Sequence, residues 1–300
     1  MPRVLKWGLA VVGVLVLVLG VAVGGAYALS SRRMAQRFTV ADESVPVSTD
    51  SATLAHGRHI AVTRGCADCH GADFGGTTFI DGMPFARLTA SNLTTGKGGV
   101  AAGMTVADWV RAVRHGVGRE GRALLFMPAQ EFNALSDEDL GALVSYLRTV
   151  KPVDREPTPN AVGPVGRALY LAGKVPLVPA ELIDHTAPRK PSPAAGRTVE
   201  YGQYLAAGCA GCHGASFAGG PIPGTPPEWP PAANLTPHAD GLASWQEADF
   251  VRALRTGRRP DGRELKPEMP WKNFGQFTDD ELAAIWMYLR TLPPQPTPKA

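Results

Sequence analysis

Cys66-Ala67-Asp68-Cys69-His70 and Cys209-Ala210-Gly211-Cys212-His213 contain all four cysteines of this 300-residue chain. Two thiols three positions apart lie on one helical turn, where they can bond covalently to both vinyl groups of a haem. The adjoining histidine is then held where its imidazole can ligate the iron from one face. A bare Cys-x-x-Cys admits other chemistries, each of which fits less well. A thioredoxin-type dithiol follows a strand in a βαβ pattern and has no need of the histidine. A zinc ribbon brings two such pairs within about 15–20 residues of each other, whereas these pairs stand in opposite halves of the chain. A three-residue disulfide loop formed twice is a poor scaffold for an exported protein. The spacing therefore predicts two covalently attached haems, with Cys66, Cys69 and His70 holding one and Cys209, Cys212 and His213 the other.

A second axial ligand must come from elsewhere. Of seven methionines, one pair stands at equivalent places downstream of the two motifs: Met127-Pro128 and Met269-Pro270. Methionine is a common gap-filler in cores, but repetition in register beside a repeated haem motif points to ligation by Met127 and Met269. A thioether opposite an imidazole favours ferrous iron and closes the coordination position that catalysis would need. Met83-Pro84 is a rival in the first half, but Thr225 stands opposite it in the second.

The positioning elements form a repeat as well. Asn92-Leu93-Thr94 recurs as Asn234-Leu235-Thr236, Gly121-Arg122 as Gly262-Arg263, and both halves end in Tyr-Leu-Arg-Thr. Ser136-x-x-Asp139 approximates a capping box and Thr278-x-x-Glu281 completes one. They open the apolar-periodic runs Leu140, Leu143, Val144, Leu147 and Leu282, Ile285, Trp286, Leu289. Ser244-x-x-Glu247 is expected to open a helix over 245–255, matching 106–114. Clear period-2 strand stretches are absent, so each half reads as a small helical domain with Gly- and Pro-rich loops. The expected organisation is 1–50 as membrane anchor and stalk, 51–152 as domain 1, 153–197 as a Pro-rich linker, and 198–300 as domain 2 with a Pro-rich tail. The linker's eight prolines exclude one long helix; its apolar middle, 165–171, is expected to lie as a strap across one or both domains.

Residues 8–30 carry no charge and as a helix would span about 34 Å, enough for a hydrocarbon core of about 30 Å. Ala26-Tyr27-Ala28 offers a signal-peptidase site, but the apolar run exceeds a signal h-region, which favours an uncleaved anchor. Basic residues flank both ends, so their distribution does not orient the helix. At 44% hydrophobic and 19% charged, the chain is not disordered. Its net charge of +3 resides in Arg3, Lys6, Arg32, Arg33 and Arg37; without these the rest stands at −2, which gives no support to nucleic-acid binding.

Each half resembles a class I c-type cytochrome domain. The Asn-Leu-Thr element, the Gly-Arg before the methionine loop and the Tyr-Leu-Arg end are similar to the membrane-anchored cytochrome c subunits of periplasmic alcohol and gluconate-type dehydrogenases. Those subunits commonly carry three haem motifs where this chain carries two. The resemblance covers 51–292 and implies an all-α fold of tandem class I cytochrome c domains preceded by one N-terminal transmembrane helix. In each domain an N-terminal helix runs into the haem motif, a loop presents methionine, and a C-terminal helix crosses the first. It also implies export, with the N-terminus inside and the haems on the periplasmic side of a bacterial cytoplasmic membrane. The function expected is single-electron transfer without catalysis, from a periplasmic or membrane dehydrogenase to a cytochrome or terminal oxidase, with membrane lipid met through the N-terminal helix. The alternative is a dihaem redox enzyme, a peroxidase or thiosulfate-type oxidoreductase, with one exchangeable ligand. His56, His59, His115, His185 and His238 have no counterpart in the other half and are expected as surface or loop residues. Most of the arginines flanking the repeat are expected on a solvated face, Arg122 and Arg263 beside the haem carboxylates, and Trp109, Trp245 and Trp271 as haem-pocket packing.

Overall fold

The computed structural model describes residues 2–189, 191–226 and 228–299; the terminal positions 1 and 300 of the expected domain ranges lie outside it. Helix α1 (Arg3–Met34) is long and apolar enough to cross a membrane, and no part of its apolar window is buried by the rest of the chain. Domain 1 follows with α2 (Ser51–Thr63), α3 (Cys66–His70), strands β1 (Thr78–Gly82) and β2 (Ala86–Thr89), α4 (Val106–His115), α5 (Ala129–Phe132) and α6 (Asp137–Leu147). The linker contributes β3 (Ala161–Val162) and α7 (Pro164–Leu171). Domain 2 repeats the helical plan with α8 (Val199–Ala206), α9 (Ala210–His213), α10 (Glu247–Thr256), α11 (Trp271–Phe274) and α12 (Asp279–Thr291).

The periodic apolar positions form the cores. Leu140, Leu143, Val144 and Leu147 of α6 pack on Ile60 of α2 and on Trp109, Val110 and Val113 of α4. In domain 2, Leu282, Ile285, Trp286 and Leu289 of α12 pack on Tyr201 and Leu205 of α8 and on Phe250 and Leu254 of α10. First and last helices cross at a glycine in each domain. A Cβ on Gly57 would fall 1.9 Å from the Ala142 carbonyl oxygen, and one on Gly202 would fall 1.9 Å from that of Ala284. Only glycine permits this approach. Gly57→Ala or Gly202→Ala is expected to cost about 3 kcal/mol by forcing the helices apart, measured as a lowered denaturation midpoint at unchanged m-value.

Capping follows the sequence with one correction. Thr105 and Asp108 form a reciprocal box on α4, Thr278 and Glu281 form one on α12, and Ser136 accepts from the Asp139 N–H at the start of α6. The box expected at Ser244 falls instead at Gln246 and Asp249, so α10 starts at Glu247. Asp249 reaches back to the Gln246 N–H, which a carboxylate at the third helical position is placed to do.

Three features depart from a plain pair of helical domains. A small antiparallel sheet, β1-β2-β3, occurs in domain 1. Its strands are short and the β1–β2 register shifts between Thr78 and Ile80, which breaks the period-2 signal. The segment after α1 lies along domain 1: Val45 is buried in its core, Phe38 N–H donates to Gly121 O, and Ser48 N–H donates to Ser145 Oγ. The linker forms a third cluster, in which Val117 of domain 1 packs with Tyr170, Val175, Leu177 and Val178. Met34 and Phe38, from the end of α1 and just beyond, complete it.

Candidate functional site

The two motifs occupy the same local structure. Cys66–His70 is the single turn α3, entered through Gly65 and left through Gly71 at φ 81°. Cys209 ends a 3-10 turn that runs into α9, which is left through Gly214 at φ 75°. A positive φ lets the chain turn sharply after the histidine, and glycine adopts it without strain. Both imidazoles then point the same way. His70 Nδ1 lies 2.8 Å from the Ser91 carbonyl oxygen, and His213 Nδ1 lies 2.7 Å from that of Ala233. Burial pushes both imidazoles below the ordinary histidine value, so they are neutral. A neutral ring donating from Nδ1 keeps the Nε2 lone pair for a metal.

The Asn-Leu-Thr elements hold those carbonyls in place. Asn92 Nδ2–H donates to Val153 O at 2.7 Å, and Asn92 Oδ1 accepts from Thr94 N–H and Oγ1–H. Asn234 Nδ2–H donates to Gln295 O at 2.7 Å, and its Oδ1 accepts from Thr236 in the same two ways. All four side chains are buried. Each clamp ties the loop next to the histidine to the chain that follows the last helix, closing the domain over its motif.

Met127 and Met269 also occupy matching positions. Each packs on the core that its domain's first motif cysteine touches: Cys66 and Met127 in domain 1, Cys209 and Met269 in domain 2. The loops before them are fixed alike, Leu124 N–H to Gly116 O and Leu265 N–H to Gly257 O, both at 2.7 Å. Met83 is 57% exposed at the tip of the β1–β2 hairpin. Burial pushes the Cys66 and Cys209 thiols up to about 12 and 11, so as free thiols they would be protonated and poor metal ligands. Among the described residues no three His, Cys, Asp or Glu side chains converge as a metal cluster requires. The donor set thus suits thioether attachment and axial ligation by imidazole and thioether. The Trp109 indole N–H, buried within the domain 1 core, has no hydrogen-bond partner.

The domains face each other across a pseudo-two-fold axis that no local pattern announces. His59 Nε2 of α2 lies 2.9 Å from Glu281 of α12, while Tyr204 of α8 donates to Asp139 of α6 at 2.5 Å. Within the domains, His56 pairs with Asp139 and Tyr201 with Glu281. Burial opposes ionisation of Asp139 and Glu281, but their histidine partners and the hydrogen bonds around them hold both below the usual carboxylate range. Each methionine-loop helix also touches the other domain's motif. Asn273 of α11 donates to Asp68, between Cys66 and Cys69, at 2.6 Å. Glu131 of α5 fills the space at Gly211, between Cys209 and Cys212, where a Cβ would meet its Oε1 at 2.3 Å.

Burial pushes the Glu131 carboxyl up to about 6, with Arg64 pulling it down. A raised folded-state value means that the folded chain binds the proton more tightly than the unfolded chain. Stability is therefore lost as pH rises from the unfolded value through the folded one. Glu131→Gln is expected to remove that loss, stabilising the chain by about 2 kcal/mol at pH 7 and little at pH 4, read from melts at both pH values.

Other expected residues lie elsewhere. His115 is fully buried, not at the surface: its Nε2 is 2.8 Å from Glu43 and its Nδ1 is 2.9 Å from His185 Nδ1. With both nitrogens engaged it is no axial ligand. Arg114, expected on a solvated face, is fully buried between Glu43 and Asp137. Arg122 and Arg263 are exposed beside Glu120 and Asp261, in the turns before the methionine loops, and do not line the cores.

Residues 199–293 match the family described as Cytochrome c, and residues 52–147 match the one described as Cytochrome C oxidase, cbb3-type, subunit III. The chain is 29% identical over 276 residues to an alcohol dehydrogenase (quinone), cytochrome c subunit, of Gluconacetobacter polyoxogenes, covering 82% of this chain and 57% of that protein. It is 27% identical to the fructose dehydrogenase cytochrome subunit of Gluconobacter japonicus, over 84% of this chain and 55% of that one. It is also 27% identical to the gluconate 2-dehydrogenase cytochrome c subunit of Pantoea cypripedii, over 81% and 60%. The chain therefore spans little more than half the length of these relatives.

Proposed function

We propose that this chain, built of two cytochrome c domains behind an apolar helix, carries single electrons between redox partners at a bacterial cytoplasmic membrane. Cytochrome c domains carry covalently attached c-type haems, each with an iron that cycles between ferric and ferrous. In this reading Cys66 and Cys69 attach one haem, ligated by His70 and Met127; Cys209 and Cys212 attach the other, ligated by His213 and Met269. Helix α1 anchors the chain with both domains on the periplasmic side. The donor is a dehydrogenase, the class named for the relatives' complexes, and the acceptor a cytochrome or terminal oxidase.

One observation carries the reading: the site occurs twice, with the same histidine orientation and the same methionine loop. The chain's residues orient and exclude. Ser91 and Ala233 carbonyls fix the imidazoles, and the Asn-Leu-Thr clamps fix those carbonyls. The cores keep water from the iron positions, and Trp109 offers its indole N–H to a haem carboxylate. The pseudo-two-fold packing places each motif against the other domain, which suits electron passage between the two sites. Two saturated sites give no room for substrate, in contrast to a peroxidase, which needs one open ligand position.

The visible spectrum of the oxidised chain tests this. Both haems are expected to show the methionine–iron charge-transfer band at the red end. Absence of that band from both haems, or cyanide binding at one haem without reductant, would overturn the His/Met carrier.

A further inference from the structure

Domain 1 and the linker after it carry three features with no counterpart among the described residues of domain 2: the β1–β2 hairpin with Met83-Pro84 at its tip, strand β3, and α7 packed on α1. Arg167 of α7 donates to Ser30 Oγ and Ser31 Oγ, each at 2.8 Å, and its guanidinium stacks on the Tyr27 ring at 4.5 Å. Residue 30 is where the uncharged run of α1 ends. A little further along, Arg33 stacks on Tyr170 and pairs with Glu181 at 2.6 Å. Helix α7 is thus fixed at the level where an apolar spanning helix leaves hydrocarbon for the headgroups.

Its outward face is uncharged. Val165 and Ala168, one turn apart, are exposed while Gly166 and Tyr170 face inward. The hairpin tip continues the patch: Val165 N–H donates to Pro84 O, and a Cβ on Gly163 would meet both Pro84 O and the Met83 methyl carbon. Met83 is 57% and Val165 43% exposed, among the larger apolar exposures outside α1.

We infer that Met83, Pro84, Val165 and Ala168 form a second membrane contact, resting in the interfacial layer beside α1. This rests on the reading of α1 as the anchor. Lipid is the occupant because the apolar window of α1 is exposed throughout, and a bilayer covering the last turns of that helix must border whatever packs on them. Arg167 and Arg33, stacked on tyrosines close to the end of that run, put basic and aromatic side chains where membrane boundaries usually hold them. The consequence is orientational: a chain held at two places does not swivel about its anchor, so domain 1 keeps a fixed height and domain 2 a fixed outward direction.

The test places single cysteines for nitroxide labelling in the full haem-loaded chain in lipid nanodiscs, with the haems left oxidised because reductants destroy nitroxides. The native thiols are consumed by haem attachment, so each added cysteine is the only label site. Val165→Cys is compared with Leu15→Cys in the middle of α1 and with Glu200→Cys, exposed in domain 2; an unchanged haem spectrum certifies each fold. Collision with oxygen, which concentrates in lipid, is measured against collision with a water-soluble nickel chelate. The oxygen-to-nickel ratio at Val165 is expected to exceed that at Glu200 severalfold and to fall below that at Leu15. A Val165 ratio equal to that at Glu200, with Leu15 lipid-like, overturns the second contact and leaves the anchor standing. A Leu15 ratio equal to that at Glu200 overturns the anchor and the contact together.

Discussion

Met269→His is expected to lower the reduction potential of the domain 2 haem by on the order of a few tenths of a volt, because imidazole favours ferric iron more than the proposed thioether ligand does. The same substitution removes that haem's charge-transfer band and leaves the domain 1 band in place. Met127→His does the reverse. The two loops are held alike, by Leu124 to Gly116 and Leu265 to Gly257, so the two variants should shift comparably. Met83→Leu separates ligation from methionine content: with Met83 57% exposed on a hairpin tip, both bands should persist and neither potential should move. Redox titration of the three variants checks all of this. Loss of a band on Met83→Leu would give the ligand role to that residue and take it from Met127.

Asn234→Ala is expected to have the largest effect on stability away from the haem ligands. It removes the amide that satisfies Gln295 O and the oxygen that accepts from Thr236 N–H and Oγ1–H. The position is 3% exposed, so water does not replace those partners freely, and buried groups left unmade cost about 1–3 kcal/mol each. A loss of about 3–5 kcal/mol follows, seen as a lowered denaturation midpoint. Asn92→Ala should cost about as much, since Asn92 is fully buried and clamps Val153 and Arg155. A second readout marks these as positioning residues. Each asparagine adjoins the carbonyl that orients a histidine, Ser91 for His70 and Ala233 for His213. The imidazole of the affected domain should therefore lose its fixed orientation, shifting that haem's potential alone.

What the sequence disclosed and what it hid divide by range. The haem motifs, the methionine pair and the Asn-Leu-Thr element are short and repeated, so self-comparison exposes them. The helices that position them follow from capping and 3.6-residue periodicity, local signals that hold for α4, α6 and α12. At Ser244 the same signal points two residues early, because it is Asp249 that reaches back to the Gln246 N–H and sets the start of α10. The hidden part is long-range. Nothing near His59 announces Glu281, or near Tyr204 Asp139, although these contacts fix how the two motifs face each other. Arg114 and His115 look like the polar end of a helix, yet both are buried, because Glu43 and the linker residues His185 and Arg189 converge on that end. Asn-Leu-Thr was visible as a repeat, but its role as a clamp required the chain that returns after the last helix. The sheet leaves no period-2 signal in the sequence because its strands are short and the β1–β2 register shifts.

In the proposed carrier one chain holds two one-electron sites. A potentiometric titration of the full-length protein, followed at the haem absorption bands, tests it most directly. Two covalently attached haems per chain and two one-electron waves are expected, both at the positive potentials of His/Met ligation. A single haem per chain, or a wave at the low potential of bis-histidine iron in either domain, would contradict it.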